Sequence, residues 1–461
     1  MAAVTSAAGV LTFVCVGVDR VDGGLVRVLE ASEPSGAWVR EGRGLVGLGV
    51  AAETAASGPD RFVKLAHWWE GLRWESSHQE GTLPGEDCPA DAGITGLPAG
   101  VGPAGFTSLS YSSDSAAGSR LIVPELILAV TEEGAWLTGV VAGGPEAQDV
   151  RGRDLPWFEA LLERHGLQLE DRVLTTSHDA RGIPPAELRE GTHPEAHYLQ
   201  AVEAGVAAIA ERRLEKLVLS RDAVVAAVEP IPAGPLLARL ARDYSGCWTY
   251  RAGDVLGATP EMLVQVRGDE VSARVLAGTV DRSLGAETAR KRLLEDPKQR
   301  SEHTLAVESL LEQLAPISEG LTAQSPPAVL ELPNVYHLST DVIGRLRSPG
   351  GISPLLVAER AHPTAAICGT PTATAAGIIG SLEGIDRGPF SGPVGWVDTR
   401  GNADMGIALR GGVLEDEGRQ VRLYAGCGIV AGSEPESELA ETWSKMRPML
   451  DTLGVSDALS T

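Results

Sequence analysis

Residues 425–445 read AGCGIVAGSEPESELAETWSK, and this stretch near the carboxyl end indicates most about how the chain folds. A run of small and apolar residues ends at a polar segment in which Ser433 and Glu436 have the spacing of a capping box. Pro435, between them, suits a first helical turn. The stretch therefore predicts a strand followed by a helix.

The predicted helix carries an acidic stripe on one face. Its members are spaced i, i+4, i+7 and i+11, and they are Glu434, Glu438, Glu441 and Lys445. A solvated charged surface is the commoner explanation, because like charges one turn apart repel only mildly in water. Mg²⁺ takes one or two carboxylates together with ligand oxygens, so the same glutamates could instead hold a metal-bound carboxylate.

Three further charged residues precede this helix. Glu302, in SEHTLAVESLLEQL, lies on a predicted helix and is either a surface carboxylate or another metal ligand. Glu261, in GATPEMLV, lies between a proline-limited turn and an apolar strand, where burial would raise its pKa and suit a general acid. Lys216 begins KLVLSRDAVVAAV and is either an ordinary strand-start lysine or a buried amine that accepts a proton.

Other segments could meet an anion. Gly278 and Thr279, in VLAGTVDR, and Gly428, in YAGCGIVAG, offer backbone N–H groups that an anion can approach closely. Arg410 closes the apolar segment MGIALR and is either a bidentate carboxylate clamp or a sheet-edge cation. His362 opens HPTAAICGTP, but no His, Cys or Asp spacing makes a convincing zinc site, and no G-x-S-x-G element appears.

Composition narrows the class of protein. The 461 residues are 43% hydrophobic, enough for a large core, and 62 acidic against 39 basic residues leave a net charge of -23. This charge opposes binding to nucleic acid or an anionic membrane, so a small anionic substrate must be met locally by a metal ion or a few basic groups. Five scattered cysteines without C-x-x-C spacing, and apolar runs too short for a bilayer, predict a cytoplasmic protein.

Hydrophobic patterning predicts an α+β fold. We expect a helix at 58–74 and another covering 199–209, an exposed loop at 75–105, and strands at 11–18, 24–30, 44–53, 121–130, 135–141 and 216–228. Helical patterns come singly between groups of strands rather than after every strand. That arrangement favours mixed or antiparallel sheets over a doubly wound parallel sheet.

The order of these segments resembles the chorismate-binding enzymes. The resemblance covers roughly 195–450 and is carried by KLVLSR, GATPEML, LAGT, a Glu-His helix, HPTAA, DRGPFSGPVGW, IALR, AGCGIVAGS and EPESELAETWSK. The more variable part, 1–190, looks like the isochorismate synthase branch through GLGVAAE, GPDRF and SRLIVPE. The resemblance implies one fold over 1–461, an α/β sandwich like anthranilate synthase component I and aminodeoxychorismate synthase. In it, two antiparallel sheets stack with helices outside and the active site lies in a cleft between them.

The resemblance also implies roles for individual residues. Mg²⁺ would bind the ring carboxylate of chorismate and would be held by Glu302, Glu438 and Glu441. The enolpyruvyl carboxylate would be taken by Arg410 and the backbone near Gly428. The rest of the substrate would be lined by Ala277, Gly278, Thr279, His362 and Lys445. Gln299 departs from the pattern, because some relatives have an acid there that helps at the metal.

Two positions bear on the reaction that the resemblance implies. Lys216 stands where water-using members carry the base and ammonia-using members have glutamine, and Ala277 stands where aminodeoxychorismate synthases tend to have a lysine. An isochorismate synthase is therefore expected, with Lys216 activating water for attack at ring carbon 2 and Glu261 protonating the departing 4-hydroxyl. Its product would feed menaquinone or catechol siderophore synthesis, and no amidotransferase subunit is expected.

Three alternatives remain open. A salicylate synthase would use the same base and acid and then eliminate pyruvate, although Phe390 stands where such enzymes typically have a tyrosine. Anthranilate-type chemistry would need ammonia and an amidotransferase partner. A catalytically silent chorismate-binding protein would lack turnover altogether, and intact Lys216 and Glu261 count against it.

Overall fold

The computed structural model describes residues 10–76, 96–143, 156–178, 181–331, 335–348 and 350–456. Its helices are α1 Gly24–Ala31, α2 Arg61–Gly71, α3 Pro156–Arg164, α4 Glu195–Ala210, α5 Ala233–Asp243, α6 Ala286–Glu295, α7 Pro297–Leu314, α8 Pro354–Ala361, α9 Thr372–Glu383 and α10 Pro435–Leu453. Two single 3-10 turns, Arg282–Leu284 and Asp416–Gly418, join strands to their neighbours.

The strands of the first half of the chain are β1 Val10–Val18, β2 Arg20–Val21, β3 Pro34–Arg40, β4 Arg43–Leu48, β5 Ala52–Ala56, β6 Arg73–Ser76, β7 Ala104–Ser108, β8 Ser119–Val123, β9 Leu126–Val130, β10 Ala135–Ala142, β11 Leu167–Glu170, β12 Val173–Thr176, β13 Ala186–Glu190 and β14 Lys216–Ala227. Those of the second half are β15 Trp248–Ala252, β16 Val255–Thr259, β17 Met262–Arg267, β18 Glu270–Asp281, β19 Ser318–Ala323, β20 Ala328–Glu331, β21 Val335–Leu346, β22 Gly369–Thr370, β23 Pro393–Asp398, β24 Ala403–Ile407, β25 Gly411–Glu415 and β26 Gln420–Ile429.

Two large sheets form the body of the molecule. The first has the order β13-β14-β26-β25-β16-β15-β3-β4-β9-β10-β1-β6, with β22 beside β14. The second has the order β19-β21-β18-β17-β24-β23-β7-β8-β5, with β20 beside β21. Among the described strands only the pairs β1·β6 and β12·β2 are parallel, and β11, β12 and β2 form a small third sheet. The expected stack of two antiparallel sheets is confirmed, and the third sheet is an addition to it.

Alternation along the strands separates three apolar layers. In β3, Ala37 and Val39 pack under α1, α5 and α10, whereas Trp38 enters the layer between the two sheets. There it meets Phe106 and Trp396 from strands of the second sheet. The helices α2, α7 and α8 cover the other face of the second sheet. The expected placement of helices outside the sheets is therefore what the core clusters show.

Most predicted elements are present, with one clear error. The segment 24–30 was expected as a strand but forms α1, because Leu25, Val28 and Leu29 have helical spacing and all three are buried on one face. The segments 44–53 and 121–130 each divide into two strands at a glycine or a proline. Of the predicted loop 75–105, residues 77–95 lie outside the described residues.

The start of α10 differs in detail from the predicted capping box. Pro435 occupies the first helical turn as expected, but the N-cap is Glu434, whose side chain makes no cap hydrogen bond. The Ser433 hydroxyl instead accepts a hydrogen bond from the Val430 N–H at 3.1 Å. None of the described helices has the length and apolar character needed to cross a bilayer.

Candidate active site

The site lies where the chain passes from one large sheet to the other. Glu261 follows β16 of the first sheet and precedes β17 of the second, while Arg410 lies between β24 of the second sheet and β25 of the first. The Ile407 N–H donates to the Glu261 carbonyl at 3.1 Å, which ties the two crossings together. These crossings hold one acid and one cation at the same seam between the sheets.

A cleft of about 690 Å³ opens at this seam. Seven of the twelve residues predicted for the site line it: Glu261, Ala277, Thr279, Glu302, Arg410, Gly428 and Lys445. The other five lie behind or beside that lining: Lys216, Gly278, His362, Glu438 and Glu441. The roles expected for all twelve stay predictions, while the geometry shows which of them are neighbours.

Lys216 is fully buried at the entry of β14, with 0% of its surface exposed. Its Nζ lies 3.1 Å from Glu302 Oε1, an oxygen of the cleft lining. The strand β26 pairs with β14 so that Gly428 faces this ion pair, and a Cβ at Gly428 would stand 2.5 Å from Glu302 Oε1. A side chain at this position would therefore displace the Glu302 carboxylate from its present place beside Lys216.

Glu261 is a buried acid with only 5% of its surface exposed. Burial raises the pKa of Glu261 to about 8, although the positive charges of Lys216, Lys445 and Arg410 act against that rise. At neutral pH this carboxyl group is therefore protonated and can donate a proton to a ligand in the cleft.

Helix α10 carries the predicted stripe beside the cleft, and the member of the stripe that lines the cleft is Lys445. Glu441 pairs with Lys445 at 2.6 Å, and Lys445 Nζ also donates to the Gly426 carbonyl at 2.8 Å. Burial works to raise the pKa of Glu441, but the ammonium of Lys445 outweighs it and the pKa is lowered. Glu438 is buried one turn earlier, whereas Glu434 is exposed at the N-cap. Of the predicted stripe, Glu438, Glu441 and Lys445 are thus buried or half-buried, whereas Glu434 is exposed.

The donor set fits a hard divalent cation. Ligand atoms of Glu438, Glu441 and Cys427 lie within 4.8 Å of one another. Burial, reinforced by Glu441, raises the pKa of the Cys427 thiol well above its usual value, so the group is uncharged and the carboxylate oxygens are the natural ligands. Close to Gly278, the buried Gln299 Oε1 has no hydrogen-bond partner within the described part of the chain.

A hydrogen-bonded histidine in the lining was missed by the sequence reasoning. His337, on β21, contacts Thr279 Oγ1 through Nδ1 at 3.1 Å and Arg410 Nη2 through Nε2 at 3.2 Å. Burial, with Arg410 and Lys445 nearby, lowers its pKa well below the usual value, so the ring is neutral. No local motif distinguishes it, because its partners are 58 and 73 residues away in the chain.

His362 is one layer removed from the cleft. Its Nε2 bonds the carbonyl of Ser391, which does line the cleft, and its ring lies against Phe62 and Tyr111. Burial lowers the pKa of His362 to about 3, so it is neutral at physiological pH. In this position the ring supports the cleft wall through the backbone.

An aromatic pair completes the wall. Phe390 and Tyr424 stack with their ring centroids 5.2 Å apart and their planes 12° apart, and both line the cleft. The sequence reasoning considered Phe390 and did not identify Tyr424. The pair forms a flat apolar surface beside the charged groups, as an enclosed ligand ring requires.

Comparison with known proteins finds relatives that match this chain over most of its length. Residues 34–454 match the family described as Chorismate binding enzyme. Isochorismate synthase MenF of Bacillus subtilis is 30% identical over 429 residues, covering 89% of this chain and 85% of the relative. The solved structure of MenF, the menaquinone-specific isochorismate synthase from Escherichia coli, aligns over 97% of this chain and 95% of its own, with a TM-score of 0.71 at 20% identity. Anthranilate synthase component I from Streptococcus pneumoniae aligns over 88% and 92%, with a TM-score of 0.66 at 19% identity.

The chain therefore belongs to the chorismate-binding enzymes, with the anthranilate synthase component I-like fold. Within that family it belongs to the isochorismate synthase branch, because its match to the Bacillus subtilis relative runs over most of both chains. The resemblance stated from the sequence motifs is confirmed, and the chain is an enzyme of that branch.

Proposed function

We propose that the protein is an isochorismate synthase that converts chorismate to isochorismate with Mg²⁺. The observation that carries this proposal is the buried Glu261 carboxyl, held protonated by a pKa of about 8 in the cleft beside which Lys216 is buried. A proton donor and an amine base at one cleft are the pair that exchange of a hydroxyl requires. Family membership supplies chorismate as the substrate class.

The reaction proceeds by displacement along the ring. Lys216, in its uncharged form, accepts a proton from water, and the water oxygen forms a bond to ring carbon 2. Both conjugated ring double bonds shift, from C1=C2 and C5=C6 to C6=C1 and C4=C5, and the bond from carbon 4 to its hydroxyl breaks as Glu261 donates a proton to the departing oxygen. One water enters and one leaves, so chorismate and isochorismate are isomers.

The charged groups account for the rest of the substrate. Mg²⁺ would be held by Glu302, Glu438 and Glu441, and when bound it supplies positive charge that neutralises the ring carboxylate. Arg410 and the backbone near Gly428 are proposed to receive the enolpyruvyl carboxylate. The remaining contacts are assigned to Ala277, Gly278, Thr279, Lys445 and, through the cleft wall, His362.

The wider assignments are proposals of the same kind. We place the catalytic residues in 195–450 and treat 1–461 as one unit, since strands from both ends of the chain share the first sheet. The enzyme is proposed to work in the cytoplasm without an amidotransferase subunit, and to supply menaquinone or catechol siderophore synthesis.

Product analysis tests the proposal directly. Purified protein is incubated with chorismate and Mg²⁺, with and without EDTA and ammonium, and the products are separated by chromatography. Isochorismate that disappears with EDTA and does not depend on ammonium is the expected result. Salicylate with pyruvate would identify a salicylate synthase, an ammonium-dependent aminated product would identify anthranilate-type chemistry, and unchanged chorismate would contradict the proposed activity.

A further inference from the structure

Arg410, His337 and Thr279 form a hydrogen-bonded series in the cleft, and Arg410 fixes the donor-to-acceptor direction of that series. A guanidinium has N–H donors and no acceptor, so Arg410 Nη2 donates to His337 Nε2 across 3.2 Å. An imidazole nitrogen that accepts a hydrogen bond carries no hydrogen. In the neutral ring the hydrogen is therefore on Nδ1, which faces Thr279 Oγ1 at 3.1 Å.

The direction continues through the threonine. Because Thr279 Oγ1 accepts from His337 Nδ1–H, its own hydroxyl hydrogen is free to point elsewhere, and Thr279 lines the cleft. The two ends of this hydrogen-bonded series are the Arg410 guanidinium and the Thr279 hydroxyl, and both thus present donors to a ligand in the cleft.

A bulge in the sheet creates the contact. Strand β18 pairs with β21, and the register shifts between Ala277 and Thr279, so that Thr279 rather than Gly278 stands opposite His337. Gly278 has a φ of +79°, which an L side chain adopts only with strain. The extra residue therefore places the threonine beside the histidine across the two strands.

Arg410 needs such a support. It lies in the connection between the two sheets with a φ of +51°, and its side chain is taken out of water by burial, which lowers its pKa. In the described part of the chain the only side-chain hydrogen bond recorded for its guanidinium is the one to His337. The histidine consequently decides where this cation points.

We infer that His337 is a positioning residue that orients the Arg410 guanidinium and the Thr279 hydroxyl together, so that the two act as one device for an oxygen-rich anionic substrate. The inference rests on the proposed function for the identity of that substrate. His337 itself need not touch the reacting atoms. Its effect is expected in substrate binding more than in the rate of the chemical step.

Two substitutions of His337, each of which keeps one of its two hydrogen bonds, test the contacts with Arg410 and Thr279 separately. His337→Asn keeps an amide N–H near the place of Nδ1 and removes the acceptor for Arg410, whereas His337→Gln keeps an acceptor near Nε2 and removes the donor to Thr279. His337→Asn is expected to raise the KM for chorismate by about tenfold or more, the range for a hydrogen bond to a charged group, and His337→Gln by about two- to tenfold, the range for a neutral hydrogen bond. For both variants kcat should stay within about threefold of the wild-type value. Ser339→Ala, two residues along the same strand face and buried outside the cleft lining, is the control and should leave KM unchanged.

Double variants show whether the arms are coupled. When His337→Asn is combined with Arg410→Lys, the rise in KM should be smaller than the product of the two single-variant rises. When His337→Gln is combined with Arg410→Lys, the rise in KM should equal that product. With Thr279→Val the pattern should reverse. His337 would only support the fold if the single-variant rises in KM multiplied in all four double variants. The same conclusion would follow if the His337 variants lowered the melting temperature and the activity together and left KM unchanged.

Nitrogen-15 NMR of histidine-labelled enzyme tests the arrangement without turnover, so it is decisive even if the wild type leaves chorismate unchanged and the proposed function fails. The His337 signals, assigned by their loss in His337→Asn, should report a neutral ring with hydrogen on Nδ1 from pH 6 to 8. In Arg410→Lys the Nε2 signal should move. A ring with hydrogen on Nε2, or one that titrates within this range, would overturn the inference.

Discussion

Glu261 controls the alkaline limit of the proposed reaction. A general acid must be protonated, and the protonated fraction of a group with a pKa of about 8 falls as pH rises through that value. We expect kcat/KM to fall roughly tenfold between pH 7 and pH 9. Glu261→Gln should lower kcat by about 10² to 10⁴ and remove this limb. Stopped-flow or steady-state measurements of kcat and kcat/KM against pH test this prediction. An unchanged alkaline limb in the Glu261→Gln variant would assign the limb to another group.

A substitution of Lys216 tests catalysis and substrate binding separately. Its side chain is buried against Glu302 and does not line the cleft, so removing it should not abolish the contacts of the substrate carboxylates. Lys216→Ala is expected to abolish turnover and to keep Mg²⁺-dependent chorismate binding, measured by calorimetry. Lys64→Ala, at an exposed site, serves as the control and should keep full activity. Retained turnover in Lys216→Ala would eliminate the proposed base.

The β18 bulge is a single structural element on which the cleft wall depends. A Cβ at Gly278 would stand 3.1 Å from both Gln299 O and Oε1, in addition to the positive φ. Gly278→Ala should lower the free energy of unfolding by about 1–3 kcal/mol and raise the KM for chorismate, because Thr279 would move.

Gly268, in the turn between β17 and β18, is the matched control for that change. It has a φ of +61° and no atom lies within 4 Å of the position that a Cβ would take, so Gly268→Ala carries backbone strain without a clash. Urea denaturation should show a loss of about 1 kcal/mol and kinetics should show an unchanged KM. Equal KM changes in the two variants would contradict the role given to the bulge.

Helix α10 provides its own test of metal binding. Mg²⁺ at a hundredfold excess over its dissociation constant stabilises the folded state by about 2.7 kcal/mol, which should raise the melting temperature of the wild type. Glu438→Gln and Glu441→Gln should each reduce this increase, because they remove ligands. Glu434→Gln, at the exposed N-cap of the same helix, should keep it. Calorimetric scans decide, and a full increase in all three variants would place the metal elsewhere.

A buried ion pair connects parts of the molecule that are far apart in sequence. Arg387 and Glu383 are 2% and 1% exposed, and they bond the backbone of Val218 and Ser220 in β14 and of Ile367, all of which line the cleft. The pair therefore joins α9, the first sheet and the cleft wall into one unit.

Removing one partner should destabilise the whole molecule. Arg387→Met leaves a buried carboxylate uncompensated, with an expected loss of about 3–5 kcal/mol in the free energy of unfolding. Arg419→Met, which breaks an exposed pair with Asp416, should lose no more than about 0.5 kcal/mol. Chemical denaturation compares the two. A loss below about 1 kcal/mol for Arg387→Met would show that the fold does not depend on this pair.

Charge is distributed unevenly over the molecule. The chain has a net charge of -23, yet the cleft and its immediate surroundings bring together Lys216, Arg410 and Lys445. This grouping is where we expect a few placed basic groups to bind an anion. Since Lys216 and Lys445 also pair with glutamates, the cleft is partly balanced in charge before any ligand enters.

Local patterns were sufficient for much of the molecule. Helical and strand periodicity predicted α2, α4, α7, α10 and β14, and the motif order predicted the family and its stacked sheets. Neighbouring residues in the chain carry these signals, so they survive without knowledge of the partner strands. The error at α1 arose because a short run with β-branched residues fits both periods, and burial against α5 decided it.

The residues of the site are brought together by contacts that no local sequence pattern indicates. Lys216 meets Glu302 from 86 positions away in the sequence, and His337 meets Thr279 only because a bulge shifts the register of two long strands. Register is set by how both sheets bury their apolar faces, and a shift of one residue exchanges every neighbour. The chemistry of the residues was thus readable from the chain, while their distances, burial and protonation followed from the packing of the two sheets.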